Sequence, residues 1–240
     1  MTTRHGYRST RHSYDTVAAR YAAEIDDELQ AKPWDRALLG AFAEQTPGGP
    51  ILDVGCGPGH VSAYLAGWGL DVVGLDLSTG MGVVARQATS LPFVTADMTA
   101  LPVRSGAIAG LVCLYAVIHL DPAARAAAYA EFARVLQPGG LAIIAFHVED
   151  DGTRMGGHKT VTTWWEHEVE LTFHYLDPAA ETVALTAAGF EPVGRFDRAP
   201  HPGTEHQSHR SYLLARRSVP SGNDQCARDT TRRSITTTSS

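Results

Sequence analysis

Cysteine is scarce in this 240-residue chain. Cys56, Cys113 and Cys226 are all there are, and no two form a CxxC pair. An odd count without such spacing gives no disulfide framework and suits a reducing compartment. Long apolar runs are missing too. No stretch reaches the roughly 18 residues of a membrane-spanning helix, and the opening MTTRHGYRST lacks the apolar core of a secretion signal. A cytoplasmic protein with no membrane partner is therefore expected. Positive charge is in deficit, with 20 Lys and Arg against 26 Asp and Glu and a net charge of -6. No basic field exists to attract nucleic acid. No internal repeat is visible. What is present is 44% hydrophobic residues, enough to build the core of one domain of ordinary size.

The two ends differ from the middle. Residues 1–12 are polar and basic. Residues 218–240 (SVPSGNDQCARDTTRRSITTTSS) are rich in Ser, Thr and Arg. Neither stretch carries enough apolar surface to offset the entropy of ordering, so both are expected to be mobile, with the domain spanning 13–217. Within it, helix-like and strand-like runs alternate. YDTVAARYAAEIDDEL and PWDRALLGAFAEQ have helical spacing. ILDV, DVVGLD, PFVTAD, IAGLVCLY and GGLAIIAF are short and apolar, and HVSAYLAGWG, GMGVVARQA and PAARAAAYAEFARVLQPGG lie between them as helices. The last is expected to run to Pro138 and its two glycines. Such alternation predicts a parallel sheet with helices on both faces. The C-terminal third changes character. TVTTWWEHEVELTFHYL reads as an inserted β-pair, DPAAETVALTAAGF as a helix, and EPVGRFD and SYLLARR as two final strands. The expected fold is doubly wound α/β, with a mostly parallel seven-stranded sheet, an antiparallel closing strand and the β-pair, about residues 155–176, as a cap.

The most informative ten residues are ILDVGCGPGH, positions 51–60. A buried strand must turn there into a helix. Gly55, Gly57 and Gly59 permit unusual φ values and close approach of a ligand to the backbone. The helix start adds unpaired N–H groups. The spacing is G-x-G-x-G, not the G-x-G-x-x-G of dinucleotide sites, and no G-x-x-x-x-G-K-[ST] occurs. Asp53, two residues before the first glycine, would repel a pyrophosphate and suits a cationic ligand.

DVGCGPG resembles the first motif, D/E-x-G-x-G-x-G, of the class I S-adenosylmethionine-dependent methyltransferases, and closest to their small-molecule, ubiquinone-pathway-like group. Asp76 in VVGLDLSTGM, Asp97 in FVTADMTALP, and GAIAGLVCLYAVIHL followed by EFARVLQPGG match later motifs in order and spacing across roughly residues 14–146. One departure is Ala109, where the family often has an acid. The resemblance implies S-adenosylmethionine as cofactor, S-adenosylhomocysteine as product and a small-molecule acceptor. It also implies roles. The glycine backbone lies against the methionyl group, with Asp53 favouring its positive charge. Asp76 takes the ribose diol, Asp97 the adenine amine, and the Met98 N–H a ring nitrogen. Leu77 and Met81 give the adenine apolar surface, although ordinary core packing is equally open to Met81.

Methyl transfer to a hydroxyl requires near-attack geometry and loss of a proton. His119, just past the fourth strand, is the first candidate base, with a pKa of about 6.5 when unperturbed. A structural histidine bonded to backbone is the alternative. If its segment is helical, Tyr115 shares its face and can touch substrate. His147 follows the fifth strand, and the strand-end rule places it at the cleft. Tyr14 and Tyr21 share a helix face and can bond the methionyl carboxylate, close the pocket or merely pack. In the β-pair, His167, Val169, Leu171, Phe173 and Tyr175 share one face. Glu168, Glu170, Thr172 and His174 share the other, which faces solvent or roofs the substrate. Trp164 and Trp165 stack on an aromatic substrate or seal a rim. His201, His206 and His209 lie in a loop expected near the cleft, without metal-site spacing, and no metal is expected. The acceptor atom is most simply oxygen, with nitrogen, carbon and sulfur open, and the assembly is a monomer or homodimer. A nicotinamide oxidoreductase and a non-catalytic cofactor-binding module are the rival classes.

Overall fold

A computed structural model describes residues 3–25 and 27–219. Residues 220–240, most of the expected tail, lie outside the described residues. The first helix, α1 (Thr3–Ile25), is followed by a 3₁₀ turn (Glu28–Ala31) and α2 (Pro33–Gln45). Then come β1 (Ile51–Val54), α3 (His60–Gly67), β2 (Val72–Asp76), α4 (Thr79–Ala88), β3 (Phe93–Thr95) and β4 (Ile108–Leu114). A 3₁₀ turn (Val117–His119) leads into α5 (Pro122–Val135), β5 (Leu136–Asp150), β6 (His158–Trp164) and β7 (His167–His174). The chain closes with α6 (Pro178–Ala187), β8 (Phe190–Arg198) and β9 (Ser208–Arg217).

Seven strands form one sheet in the order β3-β2-β1-β4-β5-β9-β8, and β6 and β7 form a separate antiparallel pair. The first five strands are parallel neighbours. Only β9 runs against the rest, paired with β5 and β8. This is the expected mostly parallel sheet with its closing strand and inserted pair.

Alternation along each strand divides the core into two layers. Leu52, Leu111 and Ile144 face α5 and α6, against Tyr129, Phe132 and Leu185. Ile51, Val112 and Ile143 face α2 and α3, against Phe42 and Leu65. Helix starts carry local signals. Asp121 and Asp177 accept from the backbone N–H groups of Ala124 and Ala179, each with proline at the next position. Ser78 caps α4 through the Met81 N–H.

Two boundaries differ from expectation. Helix α5 ends at Val135, and Leu136 already pairs with Ile108 in β4. Pro138 and Gly139 therefore form an irregular strand entry, because pairing with the neighbouring strand satisfies this backbone better than another helical turn. At the other end, α1 extends back through residues 7–12, which were expected to be mobile. Tyr7 packs on the core and Arg11 donates to Thr79 Oγ1 at 2.8 Å, contacts far off in sequence that anchor a polar stretch.

Candidate active site

Strand order reverses direction of winding between β1 and β4, and a cavity opens beyond their carboxyl ends, where such sheets bind ligands. Its volume is about 390 Å³. The glycine loop forms its floor. Gly55 and Gly57 are left-handed, with φ of 71° and 54°. A Cβ on Gly55 would lie 2.2 Å from the Ala116 Cβ, whereas one on Gly57 would meet only Tyr21 Cε1, at 3.9 Å, and would occupy the cavity. Bare backbone is thus presented at Gly57. Gly59 differs. It does not line the cavity; it caps α3 at φ 87°, and a Cβ there would strike Phe93 Cζ at 2.7 Å. Its expected cofactor contact is corrected to helix–strand packing.

Three strand-tip acids line the same cavity: Asp53, Asp76 and Asp97. Asp53 is buried and accepts from Ser62 Oγ at 2.6 Å. Burial raises its pKa to about 7, a rise opposed by the Ser62 bond. Asp76 accepts from the backbone N–H groups of Gly57, at 2.9 Å, and Ser78, at 2.8 Å. Burial raises its pKa too, against those two bonds. Asp97 Oδ1 takes both the N–H and the hydroxyl of Thr99, each at 2.8 Å. Leu77, Met81 and Met98 supply apolar lining between these acids.

Helix α1 covers the cavity from above. Asp15 fastens it to the start of α4, accepting from Ser78 Oγ at 2.7 Å and the Gly80 N–H at 2.8 Å. The cap holds it from the other side, where Ser13 Oγ accepts from the Glu170 N–H and Val17 packs on Val169 and Leu171. Tyr14 and Tyr21 both line the cavity, with ring centroids 5.9 Å apart.

Tyr115 and His119 also reach the cavity, but not on one helix face. Tyr115 sits at φ 57°, a strained conformation for a non-glycine residue. Its hydroxyl lies 2.5 Å from that of Tyr212, which donates to Asp35 Oδ1 at 2.8 Å. His119 ends the 3₁₀ turn. Its Nε2 is 2.8 Å from the Tyr14 hydroxyl and its Nδ1 2.9 Å from the Thr172 carbonyl. Burial lowers its pKa to about 4, opposed by the Thr172 bond. That makes it a weak base toward a neutral hydroxyl.

His147 does not line the cavity. It stacks on Tyr115, centroids 5.1 Å apart, and pairs with Ser208 Oγ at 2.7 Å. It was expected just past the fifth strand but lies inside β5, three residues before its end at Asp150, with the Tyr115 ring stacked on it. His201, His206 and His209 stay away as well. His209 lies in β9, and the loop that holds His201 and His206 folds around Glu205, whose buried carboxylate meets Arg198, Arg210 and Lys32. Trp164 and Trp165 stack on each other at 4.6 Å and pack edge-on against Tyr21, without lining the cavity. The polar face of the β-pair divides. Thr172 and His174 line the cavity with Thr160 and His158, whereas Glu168 and Glu170 do not. Among the described residues no group of three His, Cys, Asp or Glu is arranged to hold a metal, and no helix is long and apolar enough to cross a membrane.

Several lining residues carry no signal in the sequence. Lys32, Asp35 and His60 are among them. The two charges precede and begin α2 in AKPWD, where nothing local distinguishes them from a solvated helix start.

The family model for the methyltransferase domain matches residues 51–140. A demethylmenaquinone methyltransferase of Beutenbergia cavernae is 37% identical over 139 residues, 55% of this chain and 55% of its own. The chain thus spans about half the length of that curated relative. An uncharacterized methyltransferase of Mycobacterium sp. is 32% identical over 197 residues, 71% of this chain and 75% of its own. The chain belongs to the class I S-adenosylmethionine-dependent methyltransferases. A solved 1,6-didemethyltoxoflavin-N1-methyltransferase of Burkholderia thailandensis, with S-adenosylhomocysteine bound, shares the fold. It is similar at a TM-score of 0.68 and 20% identity over 88% of each chain.

The cavity of this methyltransferase fits the family's cofactor on its own geometry. S-adenosylmethionine needs close backbone approach for its methionyl arm, and Gly57 leaves that space open. It brings a cationic ammonium, a diol and an exocyclic amine, all hydrogen-bond donors, and three carboxylates stand ready to accept them.

Proposed function

We propose that this chain carries a methyl group from S-adenosylmethionine to a hydroxyl oxygen of a small molecule. The observation that carries the reading is the shared cavity: glycine loop and strand-tip acids on its floor, Tyr14, Tyr115 and His119 opposite, a polar cap above. In this reading Asp53 holds the methionyl ammonium and the Gly55–Gly57 backbone lies along the methionyl chain. Asp76 accepts from the ribose diol, Asp97 from the adenine amine, and Leu77 and Met81 pack on the ring. S-adenosylmethionine supplies an electrophilic methyl group when bound. The protein's own work is to orient the acceptor by Tyr14 and the cap residues Thr160, Thr172 and His174, and to exclude water beneath α1.

A small acceptor is supported by α1 and the β-pair, which both contribute side chains to the cavity lining. Two of the relatives are named for small molecules, demethylmenaquinone and 1,6-didemethyltoxoflavin. Oxygen is the acceptor atom that gives the Tyr14–His119 pair a role, since an oxonium must lose its proton and an ammonium need not.

The test uses S-adenosylmethionine labelled with ¹³C in the transferred methyl, incubated with the protein and a bacterial metabolite extract. The carbon shift of the new methyl identifies its atom. New signals in the O-methyl range are expected. Signals only in the N-, S- or C-methyl range would overturn the oxygen assignment. S-adenosylhomocysteine binding with no labelled product would favour a binding module over an enzyme.

A further inference from the structure

The hydrogen bonds of His119 fix where each proton of this cavity wall lies. The Thr172 carbonyl can only accept, so Nδ1, 2.9 Å away, carries the ring hydrogen. Burial keeps the ring neutral. Nε2 is then a bare lone pair, and the Tyr14 hydroxyl, 2.8 Å away, donates into it. The one Tyr14 proton is therefore committed. Burial also drives the Tyr14 phenol well above its usual range of ionisation, with Tyr21 and Asp76 adding to the effect. Tyr14 offers the cavity only neutral oxygen lone pairs. Those hold an O–H or N–H of a bound molecule and disfavour a carboxylate or another dissociated acceptor.

We propose that Tyr14 and His119 form a proton relay, which binds the methyl acceptor as an undissociated hydroxyl and takes its proton only as the methyl arrives. This rests on the methyl-transfer reading above. The acceptor O–H donates its hydrogen to Tyr14 Oη, and a lone pair of the acceptor oxygen attacks the methyl carbon. The C–O bond forms as the C–S bond breaks, and the C–S electron pair stays on sulfur. The acceptor oxygen now has three bonds and a positive charge, and is a strong acid. Its proton passes to Tyr14 Oη while the Tyr14 proton passes to His119 Nε2. The single positive charge, first on the sulfonium, ends on the imidazolium.

The late timing follows from the weakness of the base. A ring this hard to protonate does not remove a proton from a neutral hydroxyl, yet it readily takes one from an oxonium. An amine needs no such relay, because its methylated product is a stable ammonium, so the pair has a role for an oxygen acceptor. The Thr172 carbonyl keeps the Nδ1 hydrogen in both states, and Phe173 packs against the ring at 4.8 Å. His174 opposes charge on the ring, so the imidazolium is transient and gives its proton to water as the products leave. His119 acts through Tyr14 and is a positioning and relay residue. Tyr14 is the catalytic residue that touches the acceptor.

The experiment has two arms on the full chain. In the first, ¹⁵N-histidine spectra are recorded on the S-adenosylhomocysteine complex. His119 is expected as the neutral Nδ1–H tautomer, without titration from about pH 5.5 to 8. Tyr14→Phe should shift its Nε2 resonance and leave S-adenosylhomocysteine affinity within about twofold. An Nε2–H tautomer, or titration in that window, would overturn the relay. In the second arm, O-methyl product is followed with the ¹³C-labelled donor. Tyr14→Phe and His119→Gln should each slow it about 100-fold. Glutamine can accept from Tyr14 but cannot take its proton, so a wild-type rate in His119→Gln would also overturn the relay. Loss of S-adenosylhomocysteine binding by the wild-type protein would instead defeat the cofactor reading, which keeps the two failures apart.

Discussion

Gly57 donates its backbone N–H to Asp76 Oδ2 at 2.9 Å, tying the glycine loop after β1 to the acid that ends β2. The two residues are 19 apart in sequence. The bond orients the carboxylate and leaves lone pairs for a diol. Replacing Asp76 by alanine removes charge-assisted bonds to the ligand and the loop support together. Such bonds contribute about 1.5–3 kcal/mol each, so S-adenosylhomocysteine should bind at least about tenfold more weakly by calorimetry. Unchanged affinity would refute the role given to Asp76.

Asp53 carries a pH signature. Burial raises its pKa to about 7, above its ordinary value near 3.8. Between about pH 4 and 7 the ligand-free protein holds that proton while the unfolded chain has lost it. Stability from this group is therefore full below about pH 4 and is lost as pH rises through about 7. A cationic ammonium prefers the ionised carboxylate, so cofactor affinity should rise over the same interval. Asp53→Asn should flatten both profiles, measured by thermal melts and by calorimetry between pH 5 and 8. Parallel profiles in mutant and wild type would exclude Asp53 as the titrating group.

Gly59 separates folding from binding. Its left-handed backbone and the 2.7 Å approach of Phe93 forbid a side chain, yet it does not line the cavity. Gly59→Ala should cost about 1–3 kcal/mol of stability while affinity, measured well below the melting temperature, changes little. A stable variant with abolished binding would return Gly59 to the ligand site.

Glu205 holds three buried cations, Lys32, Arg198 and Arg210. Removing one partner from such a network leaves uncompensated charge and costs about 3–5 kcal/mol. Glu205→Gln should therefore unfold at markedly lower denaturant concentration. The Arg198 bond lowers the Glu205 pKa to about 2 against the desolvation that would raise it. Its contribution is present above about pH 4.5 and lost as pH falls toward 2, so wild type and variant should converge in stability across that range. A constant gap down to pH 2 would contradict this account.

Sequence determined the scaffold because its signals are local. Short apolar runs, capping residues such as Asp121 and Asp177, and glycines on alternate positions each act within a few residues of themselves. That sufficed for the sheet, the crevice and the acids Asp53, Asp76 and Asp97, since a strand end places its last residues wherever the strand lies in the sheet. Tertiary structure decided the acceptor side. His119 acquires its tautomer from Thr172, 53 residues away, and its partner from Tyr14, 105 residues away. His147 falls inside β5 against the Tyr115 ring, and the loop that holds His201 and His206 folds around Glu205. Nothing in the residues flanking these side chains encodes such outcomes. They depend on which elements meet across the cavity, and burial at those meetings sets the charge of each group and therefore its chemistry.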